Sequence, residues 1–154
     1  METKMSSKER QAFLAETRVG IISIPEEGRG PLTVPVWYSY QSGGEVCVWT
    51  SDNSHKAKLL RKVQRISFCV QDPTPPYYKY VSIEGPFTIQ LVDLERDIHP
   101  MAIRYFGVEN GEQYFTSISQ GEGWKTDILV SIKPERWLTV DYSKLSPQMA
   151  SSTT

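Results

Sequence analysis

Apolar and polar positions alternate with period two over much of the chain, the spacing of strands rather than helices. Residues 18–24 (RVGIISI) are compact, apolar and β-branched, the composition of a buried strand. Leu32, Val34, Val36, Tyr38 and Tyr40 alternate with Thr33, Pro35, Trp37 and Ser39, so 32–40 reads as a two-faced strand. Pro35 has no amide proton for a ladder, which puts this strand at a sheet edge or a bulge. Ser42-Gly43-Gly44 turns it into a partner over 45–51 (EVCVWTS). Further strands are predicted at 65–71, along the aromatic stretch 77–92 with a bend or bulge at Gly85-Pro86, and at 125–133 and 136–142 on either side of a Pro-Glu turn. Between two of them, 72–76 (DPTPP) must be extended, because each residue before a proline is pushed out of the helical region.

Helical signals are fewer. Ser6 with Glu9 three residues on forms a capping box that opens a short helix over 6–16. Asp52-Asn53-Ser54 caps another over 54–62. Residues 93–106 read as the longest helix, begun or kinked by Pro100. The polar, glycine-dotted stretch 107–123 leaves room for one helical turn. The pattern is therefore mainly β, with six or seven strands and two or three short helices. Connections this short favour a closed or partly closed antiparallel barrel, since parallel winding would need crossover helices that are missing.

Length and charge narrow the picture. The 154 residues suit one domain with its own core, expected over 1–142, with 143–154 as a disordered tail. A net charge of −1 argues against broad nucleic-acid binding. No apolar run approaches the roughly 20 residues of a membrane span, and the polar first ten residues lack a secretory core; a cytoplasmic, membrane-free protein is expected. Cys47 and Cys69 form no CxxC pair and are expected to be buried, reduced thiols. His55 and His99 are too far apart in sequence to suggest a metal site.

Two segments could carry chemistry. Trp49-Thr50-Ser51 ends a strand and Ser54-His55-Lys56 begins a helix. Backbone amides, the helix dipole and an ammonium converge there, as a phosphate requires. The alternative is a capped helix with a solvated basic face, to which Lys58, Arg61 and Lys62 belong. In the second segment, Tyr77, Tyr78, Lys79 and Tyr80 alternate along a strand, as a wall for a planar ring or as core and interface packing. No GxGxxG, P-loop, GxSxG or HExxH motif occurs. No side chain is assigned a catalytic role, so demanding chemistry would come from a bound cofactor.

Taken in order, Phe13-Leu14-Ala15-Glu16 with Arg18-Val19-Gly20, then Val34-Pro35-Val36-Trp37, Trp49-Thr50, Ser54-His55-Lys56-Ala57, Pro75-Pro76-Tyr77 and Val81-Ser82-Ile83-Glu84-Gly85 resemble the flavin and deazaflavin oxidoreductases of the pyridoxamine 5'-phosphate oxidase-like split-barrel superfamily. The similarity spans residues 8–142 and is greatest to the branch that uses coenzyme F420. It implies a six- to seven-stranded antiparallel split β-barrel, homodimeric, with cofactor sites at the subunit interface. It further implies that Val34, Pro35, Val36 and Trp37, with Trp49, Thr50 and Ser51, flank the tricyclic ring. Ser54 and Lys56 would hold the phosphate, assisted by Lys58. Tyr78 and Lys79 would face the cofactor tail or the substrate mouth, and Trp124 is a candidate from the second subunit. One departure is His55, where relatives often carry Arg. The resemblance implies hydride transfer from reduced F420 to an unsaturated small molecule. The alternatives are an FMN-dependent oxidoreductase of the same fold and a non-catalytic carrier or sensor of flavin, deazaflavin or haem.

Overall fold

Eight antiparallel strands and three helices make up the computed structural model, which describes residues 2–145. The order is α1 (Ser7–Ala15), β1 (Gly20–Ile24), β2 (Leu32–Val36), β3 (Ser39–Tyr40), β4 (Val46–Thr50), α2 (His55–Leu60), β5 (Arg65–Asp72), β6 (Lys79–Leu91), α3 (His99–Ser119), β7 (Ile128–Ile132) and β8 (Arg136–Asp141). A π-helical turn, Leu94–Ile98, leads into α3.

The spatial order β2-β1-β5-β6-β7-β4-β3 curls into a half-barrel, with β8 paired to β6 off this path. The 13-residue strand β6 is its spine. Its first half pairs with β5 and β8, and its second half, Phe87 to Leu91, with β7. The change of partner falls at Gly85-Pro86. A Cβ at Gly85 would overlap the Lys133 carbonyl, so only glycine admits the β7–β8 turn this close. Pro35 lies on edge strand β2, where its missing donor costs no ladder bond.

Alternate residues fill the barrel: Ile22 and Ile24, Val46 and Val48, Phe68 and Val70, Val81 and Ile83 are all buried. On β7 all five residues are buried: Ile128, Val130 and Ile132 belong to the barrel core, while Leu129 and Ser131 on the other face line a cleft shared with Pro100 and Arg104 of α3. Capping at α1 follows the predicted box: Glu9 N donates to Ser6 Oγ and Ser6 N to Glu9 Oε1.

Three expectations are corrected. The single strand over 32–40 is two, with a break at Trp37 and Tyr38 where the chain leaves β1 for β4. The α3 residue Tyr105 holds this break: its hydroxyl accepts from Tyr38 N (2.9 Å) and donates to Arg18 O (2.7 Å). The stretch after residue 106 is helical as far as Ser119 rather than one turn. Gly107, at φ 81° and ψ 176°, ends the first arm and restarts the helix in a new direction. The cysteines are half-buried rather than buried, because both occupy the strand positions that point away from the barrel interior; burial still pushes both thiols above their ordinary pKa. The one-turn 3₁₀ helix Tyr142–Lys144 follows β8, and the remainder of the expected tail, 146–154, lies outside the described residues.

Candidate functional site

A cavity of about 350 Å³ opens where β2, β4 and α2 meet α3. Six residues singled out in the sequence line it: Val36, Trp37, Trp49, Thr50, Ser51 and Lys56. They come together because β2 and β4 end at the same rim and α2 starts directly after β4. Three further lining residues, Met101, Tyr114 and Asp127, come from α3 and from the segment before β7.

Trp37 is 37% exposed, yet one face of its ring is covered by Tyr105, stacked at 4.5 Å and 5°. Phe106 meets its edge at 5.2 Å. The indole is thereby held as a flat wall by groups from α3. Trp49 is fixed differently: its Nε1–H donates to Asp127 Oδ2 at 2.9 Å. Lys56 brings an ammonium to the lining, and among the described residues no carboxylate lies within 4 Å of it. The cavity thus has aromatic and apolar walls, a cationic group on α2, and a carboxylate already engaged by an indole.

The other predicted positions fall elsewhere. Val34 is half-buried against the core and Pro35 is exposed on the edge strand. Ser54 does not line the cavity; its hydroxyl donates to Ser51 O (2.8 Å) and accepts from Ala57 N (3.1 Å), so it serves as a helix cap. Lys58 is exposed on α2. Tyr78 and Lys79 sit at the opposite end of β6 from Leu91, the residue that pairs beside the rim. There Tyr78 donates to Gln71 (2.5 Å) and Lys79 lies 3.9 Å from Asp141. Trp124 is half-buried in the 3₁₀ turn Gly123–Thr126, and its Nε1 is buried with no partner among the described residues. Sequence reasoning missed Met101, Tyr105, Tyr114 and Asp127. Their traces in the sequence were the pair Tyr105-Phe106 at the end of the predicted helix 93–106, which also holds Met101, and the pair Tyr114-Phe115 in the stretch 107–123 read as a connector.

Among the described residues, no group of three or more His, Cys, Asp or Glu could hold a metal ion, and no helix is long and apolar enough to cross a membrane.

No protein-family profile and no functionally curated protein matches the chain. Solved structures do. A conserved hypothetical protein of Mycobacterium tuberculosis is 26% identical with a TM-score of 0.77, covering 93% of this chain and 89% of that one. An F420 reductase is 14% identical with a TM-score of 0.66, over 83% of this chain and 94% of its own. A FAD-binding protein of Mesorhizobium loti is 20% identical with a TM-score of 0.59, over 89% and 93%. Pyridoxamine 5'-phosphate oxidase-like proteins are among the further matches. The chain has their split-barrel fold. Within such a barrel, the cavity lies at the rim where the strand ends, α2 and the two arms of α3 converge.

Proposed function

We propose that this split barrel is an oxidoreductase that binds coenzyme F420 in the Trp37–Trp49 cavity and passes hydride to an unsaturated small molecule. The observation that carries this reading is the cavity itself. It offers a flat, backed indole wall, apolar packing from Val36 and Met101, hydroxyls at Thr50 and Ser51, and a cation at Lys56 with no carboxylate beside it. A planar, phosphate-bearing ring system needs that set of groups: apolar planes for the ring and a cation for the phosphate.

Bound there, the cofactor supplies the hydride. The protein supplies position. Trp37, locked against Tyr105, and Trp49, locked by Asp127, would set the plane of the ring and keep water from one side of it. Lys56 would anchor the phosphate. Orientation of this kind contributes up to about 7–11 kcal/mol in favourable systems, enough for transfer without a dedicated side-chain acid or base. The F420 reductase of the same fold and the resemblance to the F420-using branch support the deazaflavin over FMN.

Titrating the purified protein with F420 and with FMN, followed by absorbance and by quenching of Trp37 and Trp49 emission, tests the reading. Saturable binding of F420, weakened in Trp37→Ala, is expected. Binding of neither cofactor would refute it, and selective binding of FMN would move the protein to the FMN-dependent alternative.

A further inference from the structure

The break at Gly107 does more than end a helix. Continued straight, α3 would place residue 112 about 20 Å from residue 99. Instead the chain folds back, and His99 Nε2 lies 2.8 Å from Glu112 Oε1. The two arms form a hairpin. Gly111 sits so close to the first arm that a Cβ there would lie 2.8 Å from the Ala102 carbonyl oxygen. Phe115 stacks on the His99 ring at 4.3 Å, and Tyr114 packs on Phe106 at 4.8 Å. Beyond these contacts the second arm is weakly held: from 108 to 119, Gly111 is the sole buried residue, and Val108 is 71% exposed. Elements with so little burial open at low free-energy cost. Tyr114 of this arm is also part of the cavity wall.

We propose that the second arm of α3 is a pH-dependent lid on the cavity, latched by protonated His99 between Glu95 and Glu112. Both ring nitrogens meet a carboxylate: Nδ1 lies 3.4 Å from Glu95 Oε2 and Nε2 lies 2.8 Å from Glu112 Oε1. Glu95 belongs to the π-helical turn and Glu112 to the lid, so the imidazolium ties the two pieces together. Only the doubly protonated ring donates to both; a neutral ring turns a lone pair toward one carboxylate. The other charged pair on the π-helical turn, Arg96 with Asp97, is closed on itself at 2.8 Å. The hydrogen bond to Glu112, aided by both carboxylate charges, holds the His99 pKa above the ordinary histidine value. A raised folded-state pKa means the latch is complete at low pH. It is lost as pH rises through that raised value. The lid concerns the empty protein and holds whichever cofactor the cavity takes.

Hydrogen exchange of the ligand-free full chain at about pH 5.5 and about pH 8.5, corrected for intrinsic exchange, reads the latch directly. Protection of amides 108–119, relative to those of β7, should fall at least about threefold at the higher pH. In His99→Gln, which keeps the shape but cannot titrate, that ratio should be the same at both pH values. Glu112→Gln provides an independent arm: the pH effect should vanish, and the His99 ring should titrate at lower pH by NMR. An unchanged ratio in the wild type, or an equal fall in wild type and variants, would overturn the proposal.

Discussion

Lys56 brings an ammonium to the cavity without a carboxylate within 4 Å among the described residues, so its charge remains available to a ligand. A charge-assisted contact to a phosphate contributes roughly 1.5–3 kcal/mol. Lys56→Ala should therefore weaken cofactor binding about ten- to a hundredfold. The melting temperature of the empty protein should barely move, because no internal partner is lost. A large drop in melting temperature, or unchanged affinity in a titration, would return Lys56 to the solvated face of α2. Glu9 shows the opposite case, a charge fully committed within the fold. Hydrogen bonds from Lys144 Nζ and from Ser6 hold its carboxyl down at about 2. A depressed carboxyl stabilises the fold above its unfolded pKa near 4.5 and loses that contribution as pH falls toward 2. Carbon-detected NMR titration should find Glu9 as an early-ionising carboxyl, with the capping box loosening only below about pH 4.

At the scale of elements, the caps and breaks are set by single residues. Ser6→Ala removes the hydroxyl that accepts from Glu9 N at 3.1 Å and should cost about 1 kcal/mol in urea denaturation. Gly107 sits at φ 81° and ψ 176°, a region essentially confined to glycine that costs an L-residue roughly 1–3 kcal/mol. Gly107→Ala should loosen the hairpin of α3 while leaving the barrel intact, seen as faster exchange of 108–119 with β7 unchanged. Gly85 differs in kind: its limit is space rather than dihedral angle, because the Lys133 backbone occupies the place of a side chain. Gly85→Ala should destabilise the whole protein by about 3 kcal/mol, since relief requires the β7–β8 turn to move off the spine strand.

At the scale of the molecule, apolar side chains remain outside the single-chain fold. Leu91 is 66% exposed and Leu138 61%. The second half of β6, paired to β7 alone, leaves an open edge beside Phe87, Ile89 and Leu91. Such an edge and apolar strip favour covering by a second copy. Sedimentation at micromolar concentration should show a homodimer whose interface buries on the order of 2,000 Å². A folded monomer under those conditions would contradict this and would confine any cofactor to the residues of one chain.

The sequence by itself determined the mainly antiparallel β architecture, the edge position of Pro35, the capped starts of α1 and α2, and the special place of Gly85-Pro86, where the long strand changes partner. These are local properties: period-two alternation, a missing amide proton, a side-chain cap, a glycine beside a proline. It also singled out six residues that line the cavity, because they lie at two strand ends and one helix start close together along the chain. Only the tertiary structure decided what faces them. Trp37 meets Tyr105, Trp49 meets Asp127, and Tyr38 N meets the Tyr105 hydroxyl across 67 to 78 residues of chain. It likewise decided that Tyr78 and Lys79 stand at the far end of β6, and that the stretch after Gly107 is a helix folded back on His99. A hydrophobic period specifies which face of an element is buried but not which element covers it. That choice depends on the closure of the barrel and on the packing of α3 across it, where many weak contacts act together.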